Sequence, residues 1–219
     1  MIAGDSGHQK FICSEAEMDK ILSAEARKQI NQGIHEKYRK VAAKPAGNFR
    51  YPTGRSGLEA QRYDPRILNA LSEEILTSYC GVGNPFSLGP IKNGESVLDV
   101  GCGAGVDTLV AAAKTGPGGR AVGIDLVSEM LQRAGENLRK TTLGNVSFAE
   151  ASAEELPFAD RSFDVVLSNG VFNLIPDKLR ALREAWRVLK PNGRLMIADQ
   201  ILTTEPPADL KSMLESWAK

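Results

Sequence analysis

The segment Ser96-Val97-Leu98-Asp99-Val100-Gly101-Cys102-Gly103-Ala104-Gly105 sets three glycines on alternate positions directly after a short β-branched run, with an acid two residues before the first. Glycine at such a turn lets the main chain adopt φ of either sign and lets a ligand lie against bare backbone. Twenty positions beyond Gly105, Asp125 closes a second apolar run, Arg120-Ala121-Val122-Gly123-Ile124-Asp125. A carboxylate at that place accepts hydrogen bonds from the hydroxyls of a ribose. A glycine turn followed by a ribose acid points to a nucleoside-bearing ligand.

The spacing selects among such ligands. A dinucleotide turn reads Gly-x-Gly-x-x-Gly, with the third glycine at the helix–strand contact. Counting from Gly101 that position is Val106, and counting from Gly103 it is Thr108. The spacing present is Gly-x-Gly-x-Gly, and Asp99 in front of it repels a pyrophosphate and suits a cation. An amino-acid-bearing sulfonium cofactor, S-adenosylmethionine, fits both features. A nicotinamide-dependent dehydrogenase and a glycine-rich turn that binds nothing are the alternatives that the residues leave open.

Behind these residues stands a chain of 219 positions, enough for one domain with an appendage and a sizeable core. Lys and Arg total 27, as do Asp and Glu. With no net charge there is no global field for nucleic acid or an anionic membrane surface. No apolar run reaches the length of a membrane span, and no basic start precedes an apolar stretch as in a secretory leader. Cys13, Cys80 and Cys102 are scattered and odd in number, which suits neither a disulfide framework nor a zinc site. A cytoplasmic setting and no metal are the expectation.

Residues 1 to about 12 carry no period, and Ser14-x-x-Glu17 has the form of a capping box. Ile30, Ile34, Tyr38 and Val41 recur at helical spacing until Pro45 ends the pattern. The stretch from Lys44 to Pro65 is rich in Gly, Pro, Arg and aromatics and reads as a long loop, which in a compact domain is usually functional or disordered. A helix is expected from about Arg66 to Tyr79, then a second glycine turn at Gly81 and Gly83. From Glu95 onward the pattern alternates, with strands near 96–100, 120–125, 145–148, 163–168 and 193–199. The helices fall near 105–114, 128–140, 177–189 and 205–217. This predicts an α/β fold with a doubly wound, mostly parallel sheet and the ligand at the strand C-termini, where Gly101, Asp125, Ser152, Ala153, Asn169 and Asp199 gather. Residues 1–90 form N-terminal helices and a lid loop; residues 91–219 form the Rossmann-like cofactor domain.

Several motifs in order resemble those of class I S-adenosylmethionine-dependent methyltransferases: Val97 to Gly105, Gly123-Ile124-Asp125, Glu154-Glu155-Leu156-Pro157-Phe158, Phe163-Asp164-Val165-Val166, and Arg187 to Arg194. Within that class the chain looks most like the ubiquinone/menaquinone-biosynthesis and arsenite methyltransferase group. Gly81-Val82-Gly83-Asn84-Pro85 and the segment from Ser168 to Lys178 suggest the arsenite branch. The resemblance implies that Gly101, Gly103 and Gly105 cradle the methionine portion of the cofactor and that Asp99 supports its amino group. It places Asp125 on the ribose, Leu126 or Met130 on the adenine face, Ser152 and Ala153 by the adenine amino group, and Asn169 beneath the transferring methyl. Met130 is equally well explained as core, and Asp199 as a strand-end cap.

For the acceptor side the expected contacts are Tyr51, Arg55 and Tyr63 in the lid from Phe49 to Tyr63, then Cys80 and Asn173. Packing of a surface loop is the plain alternative for the first three. Arsenite enzymes of this kind hold the soft metalloid through cysteine thiolates. Where the resemblance places two of them, this chain has Val82 and Gly170, and Cys80 is out of register; a buried structural Cys80 is the preferred reading. The class ordinarily ends its sheet with a strand hairpin, whereas here the sequence stops in the preceding helix. The expectation is therefore an exposed sheet edge, open to covering by a second copy. The function implied is transfer of a sulfonium methyl to a small molecule by direct displacement, in which the protein aligns the reactants and excludes water. No general base stands out. A cofactor-binding domain or truncated fragment without turnover is the alternative.

Overall fold

The computed structural model describes residues 23–201, so the predicted capping box at Ser14 and the predicted helix over 205–217 lie outside the described residues. Five strands make an all-parallel sheet in the order β3-β2-β1-β4-β5: β1 (Ser96–Val100), β2 (Arg120–Asp125), β3 (Val146–Glu150), β4 (Phe163–Asn169) and β5 (Leu189–Ala198). The runs SVLDV and FDVVLSN are buried along nearly their whole length because helices cover both faces. The predicted doubly wound α/β architecture is present.

Ahead of the sheet come α1 (Ala24–Ala43), α2 (Gly54–Ala60), α3 (Pro65–Ala70) and α4 (Glu73–Leu76). Within the alternating half, α5 (Val106–Thr115) joins β1 to β2, α6 (Ser128–Leu138) joins β2 to β3, and α7 (Lys178–Val188) joins β4 to β5. The strand order reverses between β1 and β4, and this switch point opens a crevice beyond the strand C-termini. On one face Leu98, Val100, Ile124, Val166 and Phe163 pack against Ala181, Ala185 and Val188 of α7. On the other, Val97, Ala121, Val165 and Leu167 meet Ala111 and Ala112 of α5.

Three elements differ from the sequence expectation. The stretch from Lys44 to Pro65 is not one loop, since Thr53 begins a two-turn helix, α2, whose Leu58 is fully buried. The helix expected from Arg66 to Tyr79 is broken at Leu71 and Ser72, both extended; Ser72 starts α4, with Glu73 and Glu74 in its first turn facing the positive helix end. Strand β5 begins four residues early. Leu189 pairs with Phe163, then Lys190–Gly193 bulge outward with Asn192 at φ 64°, and pairing resumes between Arg194 and Val165.

The N-terminal helix α1 is capped by Ser23, whose side chain accepts from the Ala26 amide at 3.1 Å. Its Val41 packs against Val127 and Met130 at the start of α6, which lays the helix across the open end of the crevice. Of the helices in residues 23–201, none is long and apolar enough to cross a membrane.

Candidate active site at the sheet switch point

A cavity of about 290 Å³ lies at the C-terminal ends of β1, β2 and β4. Its floor is the turn after β1. Gly101 and Gly103 adopt φ of 70° and 52°, the left-handed region that a side chain disfavours. The turn is fastened from three directions. The Cys102 amide donates to the Ile124 carbonyl (2.8 Å), the Gly103 amide to Asp125 Oδ2 (2.8 Å), and Asn137 Nδ2 to the Ala104 carbonyl (2.9 Å). Asp125 Oδ1 also accepts from the Val127 amide at 2.9 Å. Asp125 thus shapes the turn and still faces the cavity with its remaining lone pairs. Burial raises its pKa, and the amide donors oppose that rise.

Asp99, Gly101, Gly103, Asp125, Leu126, Met130, Ser152, Ala153, Asn169 and Cys80 all line the cavity. Gly105 does not. It caps α5 at φ 81°, and a Cβ there would meet Phe148 Cζ of β3 at 2.7 Å and Ala134 Cβ of α6 at 3.0 Å. Gly105 therefore serves the helix–strand contact that a dinucleotide turn assigns to its third glycine, one position earlier.

Asn169, expected beneath the methyl group, is committed to protein groups. Its Oδ1 accepts from the amides of Val82 (2.9 Å) and Gly83 (3.0 Å), and its Nδ2 donates to Asp107 Oδ2 (2.9 Å) and the Gly83 carbonyl (2.8 Å). It locks the second glycine turn onto the end of β4.

Most acceptor-side expectations fall elsewhere. Arg55 sits on the surface in ion pairs with Glu73 and Glu59, because α2 turns it away from the crevice. Tyr51 donates to the Cys80 carbonyl at 3.0 Å, packs against Phe49 with the rings tilted, and lies outside the cavity lining. Tyr63 is buried, its hydroxyl donating to Asp107 Oδ1 at 2.7 Å. Gln61 Nε2 donates to the Gly81 carbonyl and Asn84 Nδ2 to the Gln61 carbonyl, so the expected lid is the packed support of the 81–83 turn. The Asn173 amide donates to Asp199 Oδ2 at 3.1 Å, and Asn173 itself lies outside the lining although its loop neighbours Val171 and Leu174 belong to it. The Cys80 thiol lines the cavity, and burial, with the charges of Asp125 and Asp107, pushes its pKa up to about 12.

Sequence reasoning missed several lining residues. Asn31, Ile34 and Tyr38 come from α1, and Val171, Leu174 and Ile175 from the loop after β4. Their helical spacing showed an apolar face on α1 but not which surface that face covers. Asp107 was also missed, although an acid in the first turn of the helix after a glycine turn is visible as a motif.

The lining carries four acids, Asp99, Asp107, Asp125 and Glu154, and no lysine, arginine or histidine among the described residues. A cationic ligand suits such a site, and a pyrophosphate does not. The glycine floor leaves main chain open to the ligand where a Cβ at Gly103 would come within 3.0 Å of Met130 Cε. These residues fit an S-adenosylmethionine-type cofactor.

Comparison with known proteins agrees with that chemistry. A family model described as a methyltransferase domain matches residues 91–219. An arsenite methyltransferase of Halobacterium salinarum is 43% identical over 159 residues, covering 73% of this chain and 40% of that protein. A demethylmenaquinone methyltransferase of Listeria welshimeri is 38% identical over 116 residues, covering 53% of this chain and 48% of that protein. The chain thus spans less than half the length of these curated relatives. The structure of an arsenic(III) S-adenosylmethionine methyltransferase from Chlamydomonas reinhardtii superposes with a TM-score of 0.56 at 34% identity, over 68% of this chain and 50% of that one. Since the family model takes in more than half of the sequence, the chain belongs to the methyltransferase domain family, whose cofactor is S-adenosylmethionine.

Proposed function

We propose that this protein transfers the methyl group of S-adenosylmethionine to a small-molecule acceptor. The observation that carries the reading is the acid-lined, base-free cavity at the β1–β4 switch point, floored by the glycine turn. The cofactor supplies an electrophilic methyl on a positively charged sulfur that leaves as a neutral thioether. In this reading Asp99 and Asp107 hold the amino group, Asp125 takes the ribose hydroxyls, and Leu126 and Met130 flank the base near Ser152 and Ala153. Asn169 acts at one remove by setting the 81–83 turn. Ile34, Tyr38, Leu174 and Ile175 form an apolar wall that keeps water from the reacting atoms. As the new bond to the methyl forms, the acceptor gives up its O–H, S–H or C–H proton to the buffer, and no side chain of the protein is assigned as its base.

The acceptor reacts through carbon, oxygen or sulfur in this proposal. Val82 and Gly170, where the resemblance places thiolates for arsenic, do face each other: a Cβ at Gly170 would lie 3.1 Å from Val82 Cγ1. Both are apolar, and burial raises the pKa of the two cysteines that line the cavity, Cys80 and Cys102, so that both thiols stay protonated. Neither offers the soft anionic ligand that trivalent arsenic needs. The same departures favour a second reading, a cofactor-binding domain without turnover. The further parts of the proposal are residues 1–90 as helical support and 91–219 as cofactor domain, a cytoplasmic setting, no nucleic-acid partner, and a second copy against β5, an edge strand within the described sheet.

The test is calorimetric titration with S-adenosylmethionine, its demethylated product and a nicotinamide dinucleotide, followed by product detection across quinol, thiol and arsenite acceptors. Tight binding of the first two with methyl transfer to a quinol or thiol is expected. Binding without transfer to any acceptor supports the second reading, and preference for the dinucleotide sinks both.

A further inference from the structure

Asp99 and Asp107 are 2% and 7% exposed, yet both open onto the cavity. Asp99 lies at the centre of the sheet on β1, and its Oδ2 accepts from Thr108 Oγ1 of α5 at 2.6 Å. Asp107, one residue before that threonine, accepts from Tyr63 and Asn169. Neither acid forms an ion pair with a lysine or arginine among the described residues, and both line the cavity.

The groups that face the pair do not neutralise it. From β2 comes Asp125, another anion, which raises Asp99 further. The turn after β1 contributes Cys102 and the segment before the second glycine turn contributes Cys80 and Tyr79, all held neutral by burial. Glu154 lines the cavity beyond β3. On α1, Lys37 acts on Cys80 and His35 on Asp125, and neither lines the cavity. Burial is the main cause that lifts both carboxyls well above their usual range, and the charge of Asp107 adds to it at Asp99. Two neighbouring acids out of water cannot both ionise without a cation.

We propose that Asp99 and Asp107, two buried carboxyls open to one cavity, together recognise the ammonium group of the ligand and between them give up a proton when that cation arrives. This makes Asp107 a second recognition residue beside Asp99, and it couples cofactor affinity to pH. The proposal rests on the S-adenosylmethionine reading. The proton passes from the carboxyl pair to buffer, and the ligand's ammonium replaces it as the positive partner, so no bond to the ligand is made or broken.

The experiment is calorimetric titration of the whole chain with S-adenosylmethionine and with its demethylated product at about pH 7, in two buffers of different ionisation heat. Release of close to one proton per ligand is expected for both ligands. Affinity should rise by up to tenfold per pH unit above about pH 6, until the ligand's own α-amino group begins to deprotonate near pH 7.7–8.0. Asp99→Asn, of the same shape, should abolish the release and weaken binding. Thr108→Val removes a donor that favours the ionised Asp99, and should move the pH dependence upward while binding persists. Binding with no proton exchange, or release unchanged in Asp99→Asn and Asp107→Asn, overturns the proposal and leaves the cofactor reading standing. No binding of either ligand by the wild-type chain overturns the cofactor reading itself.

Discussion

Both ends of the Asn169 carboxamide are held by protein groups. It connects β4 to the 81–83 turn through two amides and to α5 through Asp107. Asn169→Ala leaves those amides without their acceptor at about 1–3 kcal/mol, and Asn169→Asp sets a second charge beside Asp107. Chemical denaturation is expected to show a loss of that order for the alanine variant and a larger loss for the aspartate at neutral pH. Equal stability of all three proteins would show that the turn does not depend on Asn169. At Gly105, alanine must adopt φ 81° and press on Phe148 and Ala134. Gly105→Ala should cost about 1–3 kcal/mol in the same measurement, and weaken cofactor binding because α5 and the turn are displaced together.

At the scale of elements, α1 ceases to be an appendage. It contributes Asn31, Ile34 and Tyr38 to the cavity and is seated by Val41 on Val127 and Met130, which themselves lead out of the Asp125 strand. Seating and binding therefore share a surface. Val41→Ala is expected to lower stability by about 1–2 kcal/mol and also to weaken S-adenosylmethionine binding measurably. Unchanged affinity in a folded Val41→Ala protein would show that α1 merely rests nearby. The α2–α3 segment acts in a different way, as scaffolding for the second glycine turn through Gln61 on the Gly81 carbonyl and Tyr63 on the Gly83 carbonyl. At the far side of the sheet, Arg194 of β5 meets both oxygens of Glu95, tying the edge strand to the start of β1.

For the whole molecule, two sets of carboxylates pull the pH dependence of stability in opposite directions. Asp99 and Asp107 have raised folded values, so their contribution is full below the unfolded carboxylate range near pH 4 and is lost as pH climbs through those values. Glu95 and Glu184 are lowered by hydrogen bonds from Arg194 and Arg187; their contribution holds above the usual range and is lost on acidification. Above about pH 6 only the first set is changing. The melting temperature of the ligand-free protein should fall between about pH 6 and about pH 8, and Asp99→Asn should flatten that fall. A melting temperature independent of pH across that interval would mean that the buried acids are already ionised.

The sequence by itself determined the alternating half of the molecule, from β1 to α7, because each strand and helix there carries a local period of its own. It also determined the chemistry of the floor, since Asp99, the glycine turn and Asp125 sit at fixed offsets along the chain. Tertiary structure alone decided what closes the site. Tyr38, Asp107 and Ile175 meet across long separations, and a helical period reveals an apolar face without naming the surface that it covers. It likewise set Tyr63 and Arg55 outside the cavity lining and tied Asn169, in the cavity wall, to protein groups, because hydrogen-bond and ion-pair partners far along the chain claim their polar atoms. Residues whose roles depend on local backbone shape can be read from a sequence, whereas residues whose roles depend on a distant partner wait for the fold.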